Sequence, residues 1–118
     1  MIARLMGLKT VSPMALAAAL QRREAIAVDV NSRRSWASTR VPGALHLDPA
    51  RFAAHDLPAD RAVPLVFYCS NYLCRKAPLA ARRARQLGYA NVRVMSAGIS
   101  GWLAAGLPIE HGETNAAG

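Results

Sequence analysis

Short stretches in which nearly every residue is apolar recur along this chain: Ala25-Ile26-Ala27-Val28-Asp29-Val30, Val63-Pro64-Leu65-Val66-Phe67-Tyr68-Cys69 and Val92-Arg93-Val94-Met95. A strand with one wet face alternates apolar and polar residues, so near-continuous runs of this length point to strands covered on both faces. The segments around them carry helical signals. Ser12-Pro13, ahead of Met14 to Leu20, supplies a hydroxyl for the N-cap and a proline where its missing N–H costs nothing. Between Lys76 and Leu87, the alanines Ala77, Ala80, Ala81 and Ala84 fall at helical spacing, Gly88 is placed to close that helix in the left-handed region, and Ile99 to Ala104 makes a short last helix. Leu45-His46-Leu47, after the turn Val41-Pro42-Gly43-Ala44, makes a small further strand. Strands alternating with helices predict an α/β fold: a central, mostly parallel sheet with helices on both faces, and function gathered at the carboxyl ends of the strands.

A chain of 118 residues, 53% apolar and 19% charged, has the composition of one globular domain. The expected division is a domain over residues 1–110 and a disordered tail over 111–118. No apolar run approaches the roughly 20 residues of a membrane span, and Met1 to Met6 lacks the apolar stretch of a signal peptide, so the expected location is the cytoplasm, with no membrane partner. The net charge of +8 comes from arginines scattered over the whole length, which favours anionic ligands without the clustered footprint of a nucleic-acid binder. Two cysteines, Cys69 and Cys74, are too few for a disulfide framework or a zinc site, and in a reducing compartment such a pair points to thiol chemistry.

Cys69-Ser70-Asn71-Tyr72-Leu73-Cys74-Arg75-Lys76 leads from the strongest strand through a loop into a helix N-terminus. Loop N–H groups and the first helical turn have no carbonyl partners, so they favour negative charge at the loop centre. A thiolate is such a charge, and this field is expected to lower the Cys69 pKa below the free-thiol value of about 8.5. Arg75 and Lys76 reinforce it, and Pro78 is tolerated because it falls in the first helical turn. Cys69 is therefore the candidate nucleophile. Ser70, Asn71, Tyr72, Leu73 and Cys74 are the candidate donors of backbone N–H groups, with Arg75 as a charged partner. The plainer alternative is an inert buried thiol.

Val28-Asp29-Val30, Val41-Pro42-Gly43-Ala44, Val66-Phe67-Tyr68-Cys69, Ala80-Ala81 with Leu87-Gly88-Tyr89 and Asn91-Val92, Gly98-Ile99 with Gly101-Trp102, and Ala105-Gly106-Leu107-Pro108 follow one another in the order of the rhodanese-like family's landmarks. The ordered set resembles that family over nearly the whole chain. The resemblance implies a sulfurtransferase in which Cys69 takes a sulfane sulfur from a small anionic donor such as thiosulfate, becomes a persulfide, and passes the sulfur to a nucleophilic thiol or protein acceptor. It implies no metal and no organic cofactor.

The chain also departs from the family's pattern. The Ala-Ala pair and the Gly-aromatic pair lie about two residues further from the cysteine than is common, which implies an enlarged loop. Cys69 and Arg75 stand in the C-x5-R spacing of cysteine-based phosphatases and related arsenate reductases, a second reading in which Arg75 would clamp a tetrahedral oxyanion. That chemistry needs a proton donor, the loop holds no carboxylate, and Asp29 is the only obvious candidate near a strand end. Asn31 and Arg40 occupy places where family members often carry Arg and His, Ala97 stands for the first glycine of a Gly-Gly-Ile landmark, and Arg40 would add positive potential at the loop's mouth. Cys74 either resolves a persulfide or bridges to Cys69, or else is a small packed residue, because loop side chains face outward when their amides face inward. His46, His55 and His111 lack metal-ligand spacing, and Trp36 and Trp102 read as core anchors. Rhodanese-like domains lacking the cysteine can serve as binding modules; the cysteine here argues for activity, although a sulfur carrier that hands its persulfide to a protein partner would show the same cysteine.

Overall fold

In a computed structural model, which describes residues 2–114, the apolar runs form the interior of a five-stranded sheet. Its strands are β1 (Lys9–Thr10), β2 (Ile26–Asp29), β3 (Leu45–His46), β4 (Leu65–Tyr68) and β5 (Val92–Val94), in the spatial order β1-β5-β4-β2-β3. Every pairing within this sheet is parallel, including Ile26 with Leu65, Phe67 with Val94 and Thr10 with Val94. Around the sheet lie α1 (Ile2–Leu5), α2 (Pro13–Gln21), α3 (Arg33–Ser38), α4 (Lys76–Gln86) and α5 (Gly98–Ala104), with one 3-10 turn at Ala54–Asp56. Among the described residues no helix is long and apolar enough to cross a membrane.

The two-sided burial expected of the strands is observed in β2 and β4, whereas Arg93 in β5 is exposed; the buried residues fall into two cores. Val28, Leu65, Phe67, Cys69, Val92 and Val94 pack with the alanine face of α4. Ala27, Val66, Tyr68 and Met95 pack on the opposite side with Leu16 of α2 and Trp102 of α5. The alternation follows from the period of two along a strand. One consequence bears directly on chemistry: Tyr68 and Cys69 are neighbours in sequence and belong to opposite layers.

Local signals account for the starts of α2 and α3. Ser12 Oγ accepts from Ala15 N at 3.1 Å with Pro13 opening α2. Ser32 Oγ does the same for Ser35 N at 3.1 Å, starting α3. At the other end of α4, Gly88 adopts φ +103° as the left-handed cap its position suggested. β1 was not expected, because Lys9 and Thr10 form no apolar run; it exists as an edge held by its pairing with β5.

Arg40 is the largest departure from expectation. It was placed at the mouth of the active loop, but it is fully buried. Its Nε donates to Glu110 Oε1 at 2.7 Å, its Nη1 to the carbonyls of Trp36 at 3.0 Å and Gly112 at 2.7 Å, and its Nη2 to Thr114 O at 2.6 Å. The guanidinium also lies 3.9 Å from the Trp36 ring centroid. A buried cation requires this many partners because burial without them is costly. Two of these partners, Gly112 and Thr114, come from the tail expected to be disordered: His111 to Thr114 run back against α3, with Gly112 N bonded to Ala37 O at 2.8 Å. The rest of the expected tail, residues 115–118, lies outside the described residues.

Candidate active site

Cys69 immediately follows the last residue of β4 and is 2% exposed. Two backbone bonds fix the chain here: Cys69 O accepts from Ile99 N at 2.9 Å and Ser70 O from Ser100 N at 3.0 Å. Both donors are orphan N–H groups of the first turn of α5. The approach is possible because residue 98 is glycine. At φ +65°, a Cβ on Gly98 would stand 2.5 Å from the Ser70 carbonyl carbon and 2.7 Å from Asn71 N. With its first two carbonyls tied to α5, the chain turns over the end of the sheet.

Asn71 shapes the rest of the loop. Its Oδ1 accepts from Leu73 N at 2.9 Å and its carbonyl from Cys74 N at 3.2 Å. This Asx-type turn uses the amides of Leu73 and Cys74 inside the loop and swings the Cys74 side chain inward, against the core that holds Cys69. The two sulfurs are joined as a disulfide, with Cα atoms 6.4 Å apart, within the roughly 7 Å that bridging allows. The outward-facing, merely packed Cys74 is thus not what is observed, and the reason is that its amide serves the turn. The amides of Ser70, Asn71 and Tyr72 make no backbone hydrogen bond among the described residues.

Next to the disulfide is a cavity of about 10 Å³, lined in part by Cys69, Cys74, Asn71, Tyr72, Pro78 and Ser96. That is room for about one water. Ser96 was not singled out in the sequence, yet its Oγ is buried in this structure with no hydrogen-bond partner. The signal that could have found it is positional, since Ser96 carries a hydroxyl just beyond the carboxyl end of β5, the strand beside β4.

The other expected site residues divide. Tyr72 and Leu73 form the loop tip, 63% and 85% exposed. Ser70, Arg75 and Lys76 are exposed, Arg75 at the N-cap of α4, and neither Arg75 nor Lys76 lines the cavity. Asp29 belongs to the opposite layer. It is buried, its Oδ2 accepts from Tyr68 OH at 2.7 Å and its Oδ1 from Asn31 N at 2.8 Å, and Tyr68 OH accepts from Val41 N at 3.1 Å. Burial holds the Asp29 pKa above the usual carboxylate range, partly opposed by the Tyr68 and Asn31 hydrogen bonds. Burial first, and then the Asp29 charge, push the Tyr68 phenol well above its ordinary range. The two groups share one structural network that pins the Val41 turn to the sheet.

Tyr68→Phe tests that network. It leaves Val41 N and one Asp29 oxygen without partners, an expected loss of about 2–4 kcal/mol in unfolding free energy. Because the native Asp29 pKa lies above its unfolded value, this group's contribution to stability is greatest below the unfolded pKa and is lost as pH rises through the native one. Removing the Tyr68 hydrogen bond raises the native value further. Denaturant titrations should therefore show a larger deficit for the variant at neutral pH than near pH 4.

The sequence matches the rhodanese-like domain family over residues 12–105. It is 36% identical over 98 residues to an HTH-type transcriptional regulator of Mycobacterium tuberculosis, covering 79% of this chain and 42% of the regulator, so the chain spans less than half of that relative's length. It is 31% identical over 91 residues to the thiosulfate sulfurtransferase GlpE of Actinobacillus succinogenes, covering 77% of this chain and 80% of that protein. Among solved structures, the human single-domain sulfurtransferase TSTD1 superposes with a TM-score of 0.69 at 27% identity, covering 80% of this chain and 95% of the other.

Proposed function

The chain belongs to the rhodanese-like domain family, and from that membership we propose that it is a sulfurtransferase using Cys69 as the nucleophile and thiosulfate as a donor. The observation that carries this reading is the position of Cys69, at the carboxyl end of the central strand beneath a loop in which the amides of Ser70, Asn71 and Tyr72 have no backbone acceptor among the described residues.

In the reduced protein the Cys69 thiolate attacks the outer sulfur of thiosulfate. The donor's S–S bond breaks, sulfite leaves with the bonding pair, and Cys69 carries a persulfide. The free loop amides and the N-terminus of α4 offset the negative charge of the terminal sulfur. Ser96 Oγ adds an uncommitted donor in the same cavity. A nucleophilic thiol then takes the outer sulfur and Cys69 departs as thiolate. Partners are accordingly a small anionic sulfur donor and a thiol or protein acceptor.

The C-x5-R reading receives less support. Arg75 is exposed and does not line the cavity, and among the described residues lining it there is no carboxylate to protonate a leaving group. The deciding experiment mixes fully reduced protein with thiosulfate and follows sulfite by a colorimetric trap. About one sulfite per chain in the first turnover is expected. Absence of sulfite, together with hydrolysis of an aryl phosphate, would replace this reading with oxyanion chemistry.

A further inference from the structure

The disulfide between Cys69 and Cys74 places a second sulfur within bonding reach of the proposed nucleophile. Three features make that approach a property of the loop. The Asn71 turn bends the chain so that Cys74 faces inward. Cys74 is half-buried against the same core as Cys69. It also lies two residues ahead of the eleven-residue helix α4, whose N-terminus favours negative charge.

Resting on the sulfurtransferase reading, we infer that Cys74 is the resolving thiol of this site, so that the protein releases the transferred sulfur as hydrosulfide and is reset by a dithiol. The Cys74 thiol attacks Cys69 Sγ, the inner sulfur of the persulfide. The Cys69–Cys74 bond forms, the bond from Cys69 Sγ to the outer sulfur breaks, and the outer sulfur leaves with the bonding pair and the Cys74 proton as hydrosulfide. The cysteine pair loses two electrons and the sulfane sulfur gains them. An external dithiol then reduces the disulfide and is itself oxidised. The net reaction converts thiosulfate and a dithiol into sulfite, hydrosulfide, a disulfide and a proton, and it balances without oxygen.

The disulfide gives the cycle its order. With Cys69 bonded to Cys74 there is no free thiolate to attack a second donor. Each turnover therefore waits for the dithiol.

The test is a single turnover without oxygen. Reduced protein, freed of reductant, is given excess thiosulfate, and sulfite, hydrosulfide and intact mass are measured for the wild type, Cys74→Ser and Cys74→Ala. The wild type should release sulfite and hydrosulfide in about equal amounts and finish lighter by the two thiol hydrogens. Either variant should release sulfite, yield at least roughly tenfold less hydrosulfide, and retain one added sulfur atom. Wild type that releases sulfite but keeps the sulfur and yields no hydrosulfide overturns the resolving role while leaving the sulfurtransferase reading intact. No sulfite from any of the proteins overturns both. The wild-type measurement decides the matter even if neither variant folds.

Discussion

Replacing Cys69 with serine should abolish sulfite release from thiosulfate, lowering the rate by on the order of 10⁴-fold or more, the scale seen when a covalent nucleophile is removed from an enzyme. A serine hydroxyl in that position would have to ionise far above neutral pH, and among the described residues no carboxylate lines the cavity beside it; Asp29, the strand-end candidate, is engaged with Tyr68 and Asn31 in the other layer of the fold. The substitution also removes the disulfide, so its effect on stability must be separated from its effect on chemistry. Thermal unfolding under strong reductant does this, because the wild type then lacks the bridge as well. Variant and wild type should unfold within about 1–2 kcal/mol of each other, the cost of placing one hydroxyl at a buried site. A Cys69→Ser protein that still released sulfite at near wild-type rate would remove the thiol from the mechanism.

Gly98→Ala should have the next largest effect, although residue 98 bears no side chain and takes no part in bond making. Its added methyl would stand 2.5 Å from the Ser70 carbonyl carbon, and its φ of +65° is a conformation that a side chain makes costly. The clash is with backbone, so no rotamer change relieves it. Either the Ile99–Cys69 and Ser100–Ser70 bonds lengthen or the loop shifts. Misplacing a nucleophile by about 1 Å costs roughly 100-fold, which sets the expected fall in kcat/KM. Strain and overpacking together should cost about 2–4 kcal/mol of stability. Gly43→Ala is the control. Its φ of +77° imposes similar strain, but nothing lies within 4 Å of the new methyl, so stability should fall by about 1–2 kcal/mol with activity unchanged. Equal loss of activity in both variants would mean that the damage at residue 98 is global rather than local to the loop.

The central sheet could be read from the sequence because its signal is local. Ala27-Val28 and Leu65 to Tyr68 are apolar on both faces, the pattern of a strand between two helical layers. The helix starts at Ser12-Pro13 and the alanine face of α4 were legible for the same reason. β1 was not, since a two-residue edge strand is created by its neighbour rather than by its own composition. Arg40 was misplaced because an arginine in sequence carries no mark of burial; only the convergence of Trp36, Glu110, Gly112 and Thr114 makes an interior cation tolerable. In the loop, Cys69 was legible from strand, turn and helix in succession. The inward turn of Cys74 was not, because it depends on Asn71 accepting two hydrogen bonds that compete with an outward-facing arrangement. Ser96 escaped notice because a single hydroxyl after a strand is ordinary until its lack of a partner is seen.

The arrangement around Arg40 also fixes where this domain can be cut. The family match ends at residue 105, and a fragment trimmed to that boundary would discard three of the guanidinium's acceptors, those on Glu110, Gly112 and Thr114. Stranding a buried charge in this way costs about 3–5 kcal/mol, a large share of what holds a domain of this size together. Chemical denaturation of a chain ending at residue 105 and of one ending at residue 114 should show the shorter one less stable by about this amount, and any fusion, reporter or affinity handle attached at this end is best placed after Thr114.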